Sequence, residues 1–169
     1  MSVTVPDNYK PPGPPLDALP IPPPSSTAEV TRLYGLSHTM IRATNPVTTL
    51  DFYQRILGMT LIHRSDSEGG KFTNYFLAYP QSPVPTEPEE RRRWMWSQQA
   101  LLEICHNWAT ESDPSWKGYT TGNEPEHKGF GHIAVIVDDL EKACQRFTEL
   151  GVRFIKRPSD GKIDRKSVV

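Results

Sequence analysis

The chain contains the same supersecondary unit twice, and this duplication constrains its architecture before any single residue does. Each copy has an apolar strand, an amphipathic helix that ends at a glycine, and a second strand. The predicted strands lie at 36–42 and 59–64 in the first copy, and at 130–137 and 152–157 in the second. His38 and His132 occupy equivalent positions in the opening strands. Two strand histidines related by pseudo-symmetry are suited to a shared metal site.

Residues typical of helix ends bound both predicted helices. In the first copy Asn45 is the predicted N-cap, Pro46 opens the helix and Gly58 ends it. In the second copy Asp138 is the predicted N-cap and Gly151 the terminator. Between Asp138 and Gly151, apolar residues with helical spacing form a stripe: Leu140, Ala143, Cys144, Phe147 and Leu150.

Further strands at 71–79 and 99–105, with a short helix at 91–98 between them, extend the first copy to βαβββ. The second copy supplies only βαβ within the sequence. We therefore predict an α+β fold in which two βαβββ modules form a curled mixed sheet, with the second module truncated. The predicted divisions are a proline-rich disordered tail at 1–30, module one at 31–110, a connecting loop at 111–127 and an incomplete module two at 128–169.

Composition excludes several functional classes. The net charge of −1 over 169 residues gives no global field for nucleic acid or an anionic membrane. No apolar run approaches the roughly 20 residues that span a bilayer, and no secretory signal is visible, so we expect a cytoplasmic protein. Cys105 and Cys144 are too few and too far apart for a disulfide framework, and we expect free thiols.

Strand alternation predicts which side chains share a face. His38 and Arg42 alternate onto one face of the first strand, and Glu103 and Asn107 onto one face of the fifth segment. If these faces line a curled sheet, His38, Glu103 and His132 converge. A lone strand histidine is more often structural than a ligand, and a glutamate could instead pair at a sheet edge. The equivalence of the two histidines favours the metal site, whereas the remaining histidines, His63, His106 and His127, are predicted to be surface or loop residues.

Several segments in order resemble glyoxalase I (lactoylglutathione lyase), a family of the vicinal oxygen chelate superfamily. They include His38-Thr-Met-Ile-Arg42, Leu102-Glu-Ile-Cys-His-Asn-Trp108, Gly129-Phe-Gly-His-Ile133 and Lys156-Arg-Pro-Ser-Asp-Gly-Lys162. The resemblance extends over about 31–162. It implies metal-dependent isomerisation of the hemithioacetal of methylglyoxal and glutathione to S-lactoylglutathione, which detoxifies methylglyoxal.

The resemblance also implies roles for individual residues. His38, Glu103 and His132 would bind one divalent metal, zinc in preference to nickel, and Glu103 would also move the proton. The residues implied to bind glutathione are Arg42, Asn107, Lys128, Lys156 and Lys162. A homodimer is expected, because family sites are commonly built from modules of two chains, and neither nucleic acid nor membrane is expected as a partner.

The resemblance places a fourth family ligand, a glutamate in the final strand of module two, beyond the end of this sequence. The ending at 163–169 departs from the family pattern, so we expect a truncated product with reduced or absent activity. Two alternatives remain at this stage. One is a non-catalytic fragment that binds glutathione or dimerises; the other is a different vicinal-oxygen-chelate metalloenzyme, such as a non-haem iron oxygenase.

Overall fold

The computed structural model of the chain describes residues 8, 30–31, 33–160 and 167–168. Apart from residues 8 and 30, the predicted tail at 1–30 lies outside the described residues, as does Lys162. The elements up to the end of the first unit are β1 (His38–Arg42), α1 (Pro46–Asp51), a π-helical turn (Phe52–Ile56), β2 (Thr60–Ser67), β3 (Phe72–Ala78), α2 (Pro88–Trp96) and β4 (Leu101–Asn107). Those that follow are β5 (Asn123–Glu124), β6 (His127–Lys128), β7 (Val135–Ile136), α3 (Leu140–Glu149), a 3₁₀ turn (Pro158–Asp160) and β8 (Ser167–Val168).

The first unit forms a four-stranded mixed sheet in the order β1-β4-β3-β2. Strand β1 is parallel to β4, whereas β3 is antiparallel to both β4 and β2. This is the βαβββ connectivity predicted from the sequence, and the α+β class is confirmed. The parallel β1–β4 pair places the first strand of the unit beside its last, so residues more than sixty positions apart in the chain become neighbours.

The sheet buries one face against the first helix and the turn that follows it. Leu77 and Ile104 are fully buried there, with Met59 and Ala43 beside them and Leu50 of α1 packed on the cluster. Each fully buried aliphatic side chain contributes roughly 1.5–3 kcal/mol relative to exposure. The opposite face of the same strands carries a second buried apolar cluster, which includes Phe76 and Leu101, and beside it a set of polar groups.

The predicted ends of the first helix are confirmed, whereas the short helix predicted at 91–98 runs from Pro88 to Trp96. The Asn45 side chain accepts hydrogen bonds from the backbone N–H groups of Val47 (2.9 Å) and Thr48 (3.4 Å). Gly58 has a φ of 75°, which a side chain would strain, and it ends the helix. Within the described part of the chain, no helix is long and apolar enough to cross a bilayer.

The second unit differs from the prediction in both of its strands. The strand predicted at 130–137 is reduced to β7, and the strand predicted at 152–157 is wrong: those residues form irregular structure. β7 instead pairs antiparallel with β8. An apolar alternating pattern forms a strand only where a neighbouring backbone accepts its hydrogen bonds, and no strand among the described residues pairs with 152–157.

The second helix is as predicted except at its start. Gly151 has a φ of 71° and ends α3. The N-cap, however, is Asp139 rather than Asp138, and its carboxylate accepts from the backbone N–H of Lys142 at 3.0 Å. Two adjacent aspartates are equivalent in the sequence pattern, and the backbone conformation selects the one directly before Leu140.

A two-stranded hairpin, β5 and β6, replaces the end of the predicted connecting loop. The Glu124 carboxylate fixes the two residues before β5. It accepts hydrogen bonds from the backbone N–H (2.9 Å) and the hydroxyl (2.9 Å) of Thr121, and from the backbone N–H of Gly122 (3.1 Å). These hydrogen bonds, led by the Thr121 N–H, lower the pKa of Glu124 from 4.5 to about 2.

We therefore expect the segment before β5, Thr121 and Gly122, to keep its hydrogen bonds with Glu124 down to unusually low pH. Because the folded pKa is depressed, the contribution of the carboxylate is complete above about pH 4.5 and is lost as the pH falls through about 2. An NMR pH titration should show the Thr121 amide resonance shifting with that midpoint. In Glu124→Gln the shift should disappear, and a Thr121 transition that persists in this variant would contradict the assignment.

Candidate active site

Two proposed metal ligands meet on the face of the sheet opposite the apolar core. His38 Nε2 lies 3.2 Å from Glu103 Oε2. The Glu103 side chain is 11% exposed and that of His38 is 34% exposed, so the pair lies at the floor of a site that solvent can reach. The parallel register, in which His38 is opposite Leu101 and Met40 opposite Glu103, brings them together. The convergence of His38 and Glu103 was predicted from strand alternation.

A polar groove extends from this pair along β1 and β4. Its volume is about 360 Å³, and its walls include Arg42, Glu103, Cys105 and Asn107. Arg42 donates to the side-chain oxygen of Asn107 at 3.0 Å and approaches the Cys105 sulfur at 3.5 Å. The groove thus has a carboxylate–imidazole pair near one end and a guanidinium–amide pair near the other, an arrangement suited to an elongated anionic ligand.

Burial raises the pKa of the Cys105 thiol, with the neighbouring Arg42 opposing that shift. A thiol with a raised pKa is largely protonated at neutral pH and is a poor nucleophile. Cys105 is therefore a small groove wall rather than a reacting group. Both it and Cys144 are free thiols, as predicted.

An aromatic wall stands beside the histidine. The His38 ring contacts Phe76 edge-on, with 5.9 Å between centroids, and lies 6.1 Å from Trp96 at the end of α2. Phe76 and Trp96 also contact each other at 5.6 Å. Trp96 is 54% exposed, so an apolar surface faces solvent next to the polar pair.

The sequence patterns did not single out Asn74, which the structure places in the groove. Asn74 pairs with Cys105 across β3 and β4, two register positions from the Phe76–Glu103 pair and on the same face. A signal was available in strand alternation, which places the polar Asn74 on one face between the aromatic residues Phe72 and Phe76. The same alternation places Asn74 on the groove face.

The remaining predicted ligand residues lie elsewhere in the chain. His132 is exposed and in irregular structure rather than in a strand, because β7 begins only at Val135. Across the described ranges, no three His, Cys, Asp or Glu side chains are placed to share one metal ion. Lys128 is exposed on β6, and Lys156 lines a separate apolar cavity of about 860 Å³ beside α3.

The prediction that His106 is a surface or loop residue is wrong, because His106 is a buried residue of β4. It points from β4 to the face opposite Glu103, is 6% exposed, and its Nε2 lies 2.7 Å from Glu111 Oε2. A hydrogen bond from its own backbone N–H and then one from His106 lower the pKa of Glu111. Strand β4 therefore contributes one residue to each of two histidine–carboxylate pairs. Glu103 pairs with His38 on the groove face, and His106 pairs with Glu111 of the following turn on the other face.

The sequence of the chain matches the model of a known protein family over the residues that form this sheet and groove. Residues 35–169 match the model of the Glyoxalase/Bleomycin resistance protein/Dioxygenase superfamily. The chain belongs to this superfamily. The match includes the whole four-stranded sheet and therefore every residue of the groove.

Known relatives within the superfamily carry a specific name. The chain is 47% identical over 128 residues to a lactoylglutathione lyase of Pseudomonas aeruginosa, covering 75% of this chain and 71% of that protein. It is 38% identical to a lactoylglutathione lyase of Pseudomonas putida, covering 82% and 80%. The glyoxalase I of Saccharomyces cerevisiae is 40% identical, but the chain spans only 38% of its length.

A solved structure of Leishmania major glyoxalase I, described as trypanothione-dependent, is also similar. The TM-score is 0.48 at 24% sequence identity, over 70% of this chain and 67% of that chain.

Proposed function

We propose that this superfamily member is a lactoylglutathione lyase, which isomerises the hemithioacetal of methylglyoxal and glutathione to S-lactoylglutathione. The observation that carries the proposal is the groove, whose lining includes Glu103 and the Arg42–Asn107 pair, with His38 beside Glu103 on the same two strands. The relatives named lactoylglutathione lyase support the same reaction. The chemistry moves one proton between adjacent carbons of a ligand that is charged at its far end.

The donor set of the site suits a divalent metal. An imidazole nitrogen and a carboxylate oxygen at 3.2 Å are two ligand types that zinc and nickel both accept. A nearly buried glutamate in an apolar strand also needs a cation or a donor, and His38 is its neighbour in this structure. We propose that His38, Glu103 and His132 hold the ion, zinc in preference to nickel. When bound, it would stabilise negative charge that develops on the substrate oxygens.

Glu103 has the geometry of a general base. Its carboxylate lies at the groove floor, is 11% exposed, and has His38 Nε2 3.2 Å away to orient it. A base positioned in this way contributes about 10²–10⁴-fold to a proton transfer. Glu103 therefore takes the proton from one carbon of the substrate and returns it to the next.

Arg42 and Asn107 would hold the charged end of glutathione. The guanidinium donates to the Asn107 oxygen at 3.0 Å through one nitrogen, and its planar fork of N–H groups suits a carboxylate. Lys128, Lys156 and Lys162 are proposed to add positive charge from the second unit. Lys162 lies outside the described residues, and the other two are exposed.

We propose that the complete site forms between two copies of the chain. Within one copy, His132 does not join His38 and Glu103 in a cluster of the described residues. A second copy could supply His132 and the lysines in a two-fold arrangement, in which each site receives both modules.

Mixing two inactive variants tests this arrangement. Glu103→Gln and His132→Ala should each be inactive alone. A refolded equimolar mixture should recover about a quarter of wild-type activity, because about half of its dimers are mixed and one of the two sites in each mixed dimer is intact. Refolding the two together and assaying the mixture would measure it. Recovery absent from a mixture that demonstrably forms dimers would contradict a shared site.

The direct test of the reaction is formation of the thioester, followed by its ultraviolet absorbance. Purified chain with methylglyoxal, glutathione and added zinc or nickel should produce S-lactoylglutathione, and removal of metal by a chelator should stop it. Arg42→Ala should raise KM more than it lowers kcat, since it removes ground-state binding at the far end of the ligand. Oxygen consumption with added iron, in place of thioester formation, would overturn the proposal.

A further inference from the structure

The groove contains a polar atom that the residues around it leave without a partner. The side-chain oxygen of Asn74 is buried and forms no hydrogen bond with any residue that the structure describes. An unsatisfied buried amide oxygen costs about 1–3 kcal/mol relative to a satisfied one. Such atoms are rare in folded proteins and call for a ligand or another explanation.

Its position in the sheet indicates what would satisfy it. Asn74 lines the groove together with Arg42, Glu103 and Asn107. In the antiparallel register, Phe76 lies opposite Glu103, Asn74 opposite Cys105, and Phe72 opposite Asn107. Asn74 therefore lies midway between the proposed reaction centre and the proposed carboxylate-binding end.

We infer that Asn74 is a substrate-binding residue whose amide hydrogen-bonds a peptide group in the middle of the glutathione portion of the substrate. This rests on the proposed function and adds a contact to it. A peptide group offers both an N–H donor and a carbonyl acceptor. It therefore satisfies the Asn74 amide whichever of its two ends is buried. A carboxylate only accepts hydrogen bonds, so it could satisfy the amide NH2 of Asn74 but not the amide oxygen. The negative charge of Glu103 nearby also disfavours a second anion.

The test compares ligand affinity and fold stability in one variant. Asn74→Leu keeps the branch at Cγ, with methyl groups in place of the amide oxygen and nitrogen, and so removes the unsatisfied polar atom. We expect S-methylglutathione, which cannot isomerise, to bind about 3- to 10-fold more weakly to Asn74→Leu in zinc-supplemented calorimetry, from the loss of one hydrogen bond. The melting temperature of the free variant should be unchanged or higher, because replacing an unsatisfied buried polar group by an apolar one is neutral or stabilising.

Two further variants make the result interpretable. Thr73→Val changes the neighbouring residue of β3 on the opposite face, where its hydroxyl donates to Asp66 (2.6 Å) and accepts from Trp108 (2.9 Å). It should lower the melting temperature and leave S-methylglutathione affinity unchanged. Asn107→Leu removes a proposed ligand contact and should weaken binding.

Each pattern of results decides between the proposals. Weak binding by Asn74→Leu and Asn107→Leu, with normal binding by Thr73→Val, supports the inference. Normal binding by Asn74→Leu beside weak binding by Asn107→Leu overturns the role of Asn74 and leaves the proposed function standing. An equal loss in Thr73→Val would assign the effect to general destabilisation and also overturn it. Failure of the unsubstituted chain to bind S-methylglutathione overturns both proposals.

Discussion

We expect Glu103→Gln to lower the kcat for S-lactoylglutathione formation by about a thousandfold, within the range that a positioned general base contributes. Glutamine has nearly the same shape as glutamate and keeps an oxygen that can face His38. In the unsubstituted chain, His38 Nε2 lies 3.2 Å from Glu103 Oε2. It cannot accept a proton at neutral pH, and it is a weaker metal ligand than a carboxylate. The expected loss is therefore mainly in kcat, and steady-state kinetics with zinc at saturation would measure it.

The chain offers a matched control for this substitution. Glu111 also pairs with a histidine of the chain, at 2.7 Å from His106, but on the opposite face of β4. Glu111→Gln should leave kcat near the wild-type value at temperatures well below unfolding, because it removes a similar hydrogen bond outside the groove. If both variants lost activity equally, the Glu103 effect would reflect damage to β4 rather than proton transfer.

Leu77→Ala should strongly lower the free energy of unfolding. Leu77 is fully buried at the centre of the cluster that includes Leu102 and Ile104, and its removal leaves a cavity that β3 and β4 cannot close. The expected destabilisation is about 3 kcal/mol. For a chain of this size that corresponds to a fall in Tm of about 6–12 °C.

The same chemical change at the surface provides the comparison. Leu33 is 84% exposed, and Leu33→Ala should change the free energy of unfolding by less than about 0.5 kcal/mol. Denaturant unfolding monitored by circular dichroism would measure both variants. Equal destabilisation by the two substitutions would show that the described core does not hold the sheet together.

Local sequence features predicted most of the first unit. The apolar alternation of its strands, the Asn45–Pro46 start and the Gly58 end each act within a few residues, and all three are confirmed. The convergence of His38 with Glu103 was also predictable, because alternation assigns each side chain to a face and the βαβββ connectivity makes the two strands neighbours. These inferences need only short-range geometry and one topological rule.

The second unit shows where local features stop being sufficient. Residues 152–157 have the composition of a strand but form none, and the strand expected around His132 begins only at Val135. A strand is stabilised by the backbone of a neighbour, and the sequence of the strand itself does not contain that neighbour. The choice of Asp139 over Asp138 as N-cap was likewise decided by backbone conformation.

The sequence by itself determined the module, its helix ends and the pairing of an imidazole with a carboxylate on one sheet face. Only the tertiary structure showed that Asn74 has a buried, unsatisfied oxygen in the groove and that His106 is buried against Glu111. The physical reason is that periodicity identifies the face of a side chain, whereas burial and hydrogen-bond satisfaction depend on every atom that packs around it. Those atoms come from β1, β3 and β4 together, in a register that no single segment specifies.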